Sequence, residues 1–149
     1  MPFVERSIVA RGDKETMYAL AKDMESFPQF MPDVEEVRVL ERGPNYTITA
    51  WKVHIVGRRF EWTERDEFDD ARCHITYRQT GGDLKKFEGE WRFEEDGDGG
   101  VKITLTVDFD LGMPMLAGMI NPVLVKAVQM NSDKMLQAIK QQVEAKARG

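Results

Sequence analysis

Two carboxylates stand two positions apart in the run Phe60-Glu61-Trp62-Thr63-Glu64-Arg65-Asp66-Glu67-Phe68. In an extended strand, residues i and i+2 share a face, so Glu64 and Asp66 fall on the side of Phe60 and Trp62. A carboxyl turned inward there would keep its proton to unusually high pH, because burial disfavours the charged form, and could then serve as a general acid or base. The competing reading, which the sequence favours, is that this acidic run nears a strand end or bulge and is simply wet, with Arg65 or Arg78 beside it. Tyr77 is the other acid–base candidate. No catalytic residue is identified beyond these two candidates, Glu64 and Tyr77.

Nucleophilic and metal chemistry find little support. Cys73 is the single cysteine and reads as a small buried residue on a strand. Its neighbour His74 would point to the opposite face and could not activate it. Two histidines (His54 and His74) and one cysteine give no zinc spacing. No glycine-rich loop leads from a strand into a helix, so no nucleotide or flavin is implied, and no cofactor is expected.

The residue types that do recur are aromatic. Alternation puts Phe60 with Trp62, Cys73 with Ile75, Tyr77 and Gln79, and Phe87 with Trp91 and Phe93. If these faces are concave, Phe60, Trp62, Tyr77, Phe87 and Trp91 form a wall, joined by Trp51 and Phe109 from neighbouring strands. Each ring could equally be core. As a group, their polar tips suit a ligand site better than a dry interior. Gly89, in mid-strand, marks a bend or a close approach to the backbone. Methionine occurs 9 times, with Met113, Met115, Met119, Met130 and Met135 close to the last helix, as either adaptable pocket lining or ordinary filler. Asn131 lies on that helix's apolar stripe near Val128 and Met135. A buried amide needs a partner, which could be a ligand, Tyr77 or a water.

The elements that must position these residues are legible from punctuation. Val4–Arg11 reads as a strand, and Gly12 breaks it. Asp13 caps a helix that runs to Met24 with apolar residues at Met17, Leu20, Ala21 and Met24. Residues 25–32 form a second short helix whose Phe27, Phe30 and Met31 plug one end of a core. Strands follow at Val34–Glu41, Asn45–Val56, Phe60–Phe68, Arg72–Thr80, Lys85–Glu95 and Val101–Leu111, separated by short turn clusters that imply an antiparallel meander. The last two alternate cleanly, which predicts one wet face and one covered face. The cover is a long helix beginning near Ala117 or Pro122 and ending at Ala147, with Leu124, Val128, Met135, Ile139 and Val143 in a stripe. Residues 111–120 are expected to form a lid over the cavity mouth.

The chain of 149 residues suits one domain, expected over 1–149. Its net charge of -5 and the lack of a basic stripe argue against nucleic-acid binding. The start Met1-Pro2-Phe3-Val4-Glu5-Arg6 has no signal-peptide core and no apolar run reaches spanning length, so a cytoplasmic protein without stable membrane insertion is expected.

This order is an α+β, helix-grip arrangement: a curved antiparallel sheet wrapped around a long C-terminal helix, with two short helices after the first strand. The stretches Gly57-Arg58-Arg59-Phe60-Glu61-Trp62, Phe87-Glu88-Gly89-Glu90-Trp91-Arg92-Phe93 and Val107-Asp108-Phe109-Asp110 resemble the START-like, polyketide cyclase/dehydrase (SRPBCC) superfamily. So does Ser26-Phe27-Pro28-Gln29-Phe30-Met31-Pro32 followed by Val34 and Val37. The resemblance lies near the coenzyme-Q-binding and aromatase/cyclase branches. It implies a deep apolar cavity between sheet and helix. The cyclases resembled place a tyrosine, a serine and an arginine where this chain has Val34, Glu64 and Asp66, so no catalytic residue carries over.

The function expected is binding or carriage of a small hydrophobic molecule: a lipid, an isoprenoid or quinone, or an aromatic polyketide-like compound. Its expected contacts are Trp51, Phe60, Trp62, Tyr77, Phe87, Trp91, Phe109, Met113, Val128, Asn131 and Met135. The alternatives are an aromatase/cyclase-like enzyme and a protein-interaction module like the superfamily's ribosome-directed members. Oligomeric state is left open.

Overall fold

The structure, a computed structural model, describes residues 3–55, 57–110 and 122–147, with Lys146 and Ala147 described by backbone alone. Its elements are β1 (Phe3–Arg11), α1 (Lys14–Lys22), a 3-10 helix (Met24–Gln29), β2 (Val34–Arg42), β3 (Tyr46–Ile55), β4 (Arg58–Asp69), β5 (His74–Gly82), β6 (Lys86–Glu95), β7 (Gly100–Asp110) and α2 (Pro122–Ala147). All strand pairs are antiparallel, in the order β1-β7-β6-β5-β4-β3-β2. The helix-grip fold expected from the sequence is therefore present.

The sheet curves because its ladder is interrupted at defined places. Pairing of β2 with β3 shifts register twice, and that of β4 with β5 shifts between Thr63 and Glu64, where an extra residue bends the strand. Close by, Gly82 lies at φ 129 against the Trp62 backbone, and a Cβ there would sit 2.5 Å from Trp62 Cα. Only glycine meets both demands.

α2 lies chiefly against β1 and buries Leu124, Val128, Leu136, Ile139 and Val143. The Arg6 guanidinium donates to both Asp133 carboxylate oxygens at 2.8 and 2.9 Å, and Lys140 Nζ donates to the Val9 carbonyl at 2.7 Å. These contacts set the helix's position along β1 more than they stabilise it, since the Arg6–Asp133 pair is nearly half exposed. At the other end of the core, Phe27 is fully buried and packs its ring near Trp51 and Trp91.

Several local expectations are corrected. The second short helix expected over residues 25–32 is present but runs from Met24 to Gln29 and is a 3-10 helix, with Pro28, which lacks an amide hydrogen, inside it. Cys73 is not on a strand. It precedes β5 with a φ of 54, in the left-handed region, although it is buried as expected. The outer face of β7 is not uniformly wet: Thr104 and Thr106 are buried, and Thr106 Oγ1 accepts from the Glu90 amide at 3.0 Å.

Asp13 caps α1 as expected, its Oδ2 accepting from the Thr16 amide at 3.0 Å and the Thr16 hydroxyl at 2.8 Å. Asp13→Ala is expected to lower the thermal unfolding midpoint. Asp13→Asn should keep most of it, because asparagine caps comparably. Equal midpoints for the alanine variant and wild type would show that tertiary contacts, not the cap, hold this turn.

Candidate functional site

The β3–β4 register places Trp51 opposite Trp62. Their indoles stack with centroids 5.8 Å apart and planes 2° from parallel. Phe87 of β6 leans on Trp62 with centroids 4.9 Å apart, and Tyr77 of β5 approaches Phe87 at 5.8 Å. Opposite this aromatic wall, α2 contributes Val128, Asn131, Ser132 and Met135. Together they bound a cavity. Its volume is about 40 Å³. At roughly 10–15 Å³ per water by that measure, this is space for about three waters. The cavity is thus a narrow slit, and an organic ligand has to spread its walls.

Of the residues singled out in the sequence, Trp51, Trp62, Tyr77, Phe87, Trp91, Val128, Asn131 and Met135 all line this slit. Phe60 and Phe109 are buried but lie outside its wall, each near the end of its strand, where the side chains serve packing. Met113 and the expected lid over 111–120 lie outside the described residues. The wall also includes Met24, Val53, Ile55, Leu105 and Val107, which the sequence reading did not name. Period-two alternation on β3 and β7 carried the signal for the last four.

The largest correction concerns the carboxylates. Glu64 is 3% exposed and Asp66 0%, so the solvated reading is wrong: the strand continues to Asp69 and both side chains turn inward. Arg65, on the opposite face, instead pairs with Glu67 at 3.0 Å. Trp62 Nε1 donates to Glu64 Oε1 at 2.8 Å. Asp66 Oδ2 accepts from the Thr49 hydroxyl at 2.6 Å and the Thr47 hydroxyl at 3.0 Å. Trp51 Nε1 in turn donates to Thr49 Oγ1 at 2.7 Å, so both stacked indoles are tied to the acid pair.

Burial, and then the neighbouring Asp66 charge, push the Glu64 carboxyl well above the usual range. Asp66 is also raised by burial but is held back by hydrogen bonds from Glu64, Thr49 and Thr47. Of the two, Glu64 is held protonated to the higher pH and can donate to Asp66 Oδ1, which has no other partner among the described residues. Ionising both carboxyls is disfavoured, because each charge would be buried beside the other.

Tyr77 does not reach Asn131. Its hydroxyl donates to the Thr106 carbonyl at 2.6 Å, and its phenol is pushed well above its ordinary range by burial and then by Glu64 and Asp66. Gly89 explains the reach: a Cβ there would fall 2.0 Å from Thr106 O and 2.8 Å from the Tyr77 hydroxyl. The close approach expected at this glycine is thus made by the protein itself. Tyr77 is committed to the backbone and is a poor proton donor to a ligand. Asn131 Nδ2, by contrast, is buried on the cavity wall with no partner among the described residues.

Chemically, the site offers flat apolar surfaces, one carboxyl that holds a proton, and one free amide donor. Among the described residues no helix is long and apolar enough to cross a membrane.

Comparison with known proteins agrees with this geometry. The protein TTHA0849 from Thermus thermophilus superposes with a TM-score of 0.89 at 28% identity, over 97% of this chain and 98% of that one. The Zhui aromatase/cyclase from Streptomyces sp. R1128 gives 0.87 at 26% identity, over 99% and 96%. In sequence, the ribosome association toxin RatA of Escherichia coli K12 is 29% identical over 110 residues, covering 74% of this chain and 69% of RatA. A family model, Polyketide cyclase / dehydrase and lipid transport, matches residues 13–136, and the chain belongs to that family.

Proposed function

We propose that the chain binds a small, mostly apolar ring compound in the slit between the sheet and α2. One observation carries this reading: in a cavity walled by stacked aromatic rings, Asn131 Nδ2 has no partner among the described residues and the Glu64 carboxyl lines the same wall. A purely structural core leaves few such groups unsatisfied. Ligand surface removed from water drives affinity at about 25 cal/mol per Å², and the two polar groups orient the ligand. Part of that gain is spent on opening the slit.

The test is native mass spectrometry of the protein from its own host, followed by solvent extraction. An apolar molecule held in stoichiometric amount is expected. Asn131→Leu should weaken retention of an oxygen-bearing ligand roughly tenfold, about the worth of one hydrogen bond. A protein that arrives empty, and also fails to bind lipid, quinone and fused-ring probes, would remove this reading.

A second reading is cyclase-like catalysis, favoured by the proton held at Glu64 together with the likeness to the Zhui aromatase/cyclase. It requires a Glu64 variant to lose turnover while keeping affinity. The RatA likeness favours a third, a surface that engages a large assembly.

A further inference from the structure

The Glu64–Asp66 pair is buried without a counter-cation. No lysine, arginine or histidine lines the cavity among the described residues, and none occurs in residues 111–121. Around the pair, β3 presents Thr47, Thr49 and Trp51, β5 presents Tyr77, β7 presents Leu105 and Val107, and α2 presents Asn131 and Ser132. None of these is positive; Lys22 and Arg42 share a surface groove with Thr47 and Thr49 but pair with Asp70 and Glu25. A buried carboxylate is costly unless something compensates it, and the described residues around the pair supply hydroxyl, indole and carboxyl donors. Aromatic faces compound the effect, since the rings of Trp51, Trp62, Phe87 and Trp91 present electron-rich surfaces that attract cations and repel anions.

We infer that the cavity selects its ligand by charge, taking a hydrophobic amine in its protonated form and rejecting carboxylates of the same shape. This rests on the ligand-binding reading above and narrows it to one chemical class. The ammonium group docks against Glu64 within the aromatic wall, and the apolar body lies along the stacked indoles. The proton that Glu64 shares with Asp66 then leaves to solvent, because an ammonium ion beside the pair stabilises the second negative charge. An amine therefore binds with release of a proton, and a neutral ligand binds without it.

The experiment titrates the full chain at pH 7 with 1-naphthylmethylammonium, 1-naphthylmethanol and 1-naphthoate, by calorimetry in buffers of different ionisation enthalpy. The amine is expected to bind about tenfold or more tighter than the alcohol, with proton release, and the naphthoate weakest. In the charge-neutral Glu64→Gln/Asp66→Asn variant, the ratio of amine to alcohol affinity should fall to about one, a ratio independent of any general loss of affinity. Should that variant not fold by circular dichroism, Glu64→Gln alone is expected to abolish the proton release and lower the ratio. Equal affinity for all three probes, or preference for the alcohol or the acid, overturns charge selection and leaves the cavity reading intact. Failure of every probe to bind overturns both.

Discussion

A Gly89→Ala variant is expected to lose roughly 3 kcal/mol of stability, the range of overpacked sites that cannot relax by a side-chain rotation. The added methyl would sit 2.0 Å from Thr106 O and 2.7 Å from the Thr106 carbonyl carbon. Those are backbone atoms of β7, so relief requires β6 and β7 to separate at Gly89–Val107 and its neighbours, where the sheet is paired throughout. The Tyr77 hydroxyl, 2.8 Å away, would be displaced from its bond to the same carbonyl. Tyr77→Phe removes that hydroxyl and should cost less, about 1 kcal/mol, since it leaves the Thr106 carbonyl with its remaining contacts. Denaturant titration of both variants checks the pair. A Gly89→Ala protein within about 0.5 kcal/mol of wild type would mean that the strands do not approach this closely.

The acid pair gives the second large effect. Glu64→Ala strands Trp62 Nε1 and removes the donor available to Asp66 Oδ1, both deep in the sheet. Two unsatisfied buried groups cost about 2–5 kcal/mol together. Glu64→Gln should behave oppositely. Its amide oxygen accepts from Trp62 and its NH2 donates to Asp66, reproducing the protonated carboxyl without its ability to ionise.

The sign of the pH dependence follows from the direction of the shift. The folded protein holds the Glu64 proton to a higher pH than the unfolded chain, whose glutamate titrates at about 4.3. The stabilisation is complete below that pH and is lost as pH rises towards the raised folded value. Wild type should therefore lose stability more steeply than Glu64→Gln as pH rises from about 4.3 towards the raised folded value, with the two profiles converging below about pH 4. Asp66, also raised, contributes a slope of the same sign that remains in the variant. Parallel profiles from pH 5 to 9 would contradict a proton held at Glu64.

How the site was read from sequence depended on periodicity. Trp62, Tyr77, Phe87 and Trp91 could be assigned to one surface because strand side chains alternate regardless of tertiary context. Val128, Asn131 and Met135 could be assigned by helical spacing in the same way. Glu64 and Asp66 obeyed the same alternation, yet the carboxylate preference for water argued the other way. Two threonines, an indole and a shared proton outweigh that preference, and Thr47 and Thr49 stand on a different strand 19 and 17 residues earlier than Asp66. Cys73 shows the converse failure. A strand-like pattern around it yields to a turn at φ 54 that the residue type does not announce.

The amino-acid sequence by itself determined the element order, the antiparallel meander, the covering helix and which face of each strand is apolar. These follow from local periods of 2 and 3.6 residues and from glycine and proline punctuation. Tertiary structure alone decided that the acid pair is dry, that Tyr77 is spent on the Thr106 carbonyl, that Asn131 Nδ2 has no partner among the described residues, and that the space between sheet and helix is a slit. Each of those depends on strand register and on where α2 settles, and both are set by contacts between residues far apart in the chain.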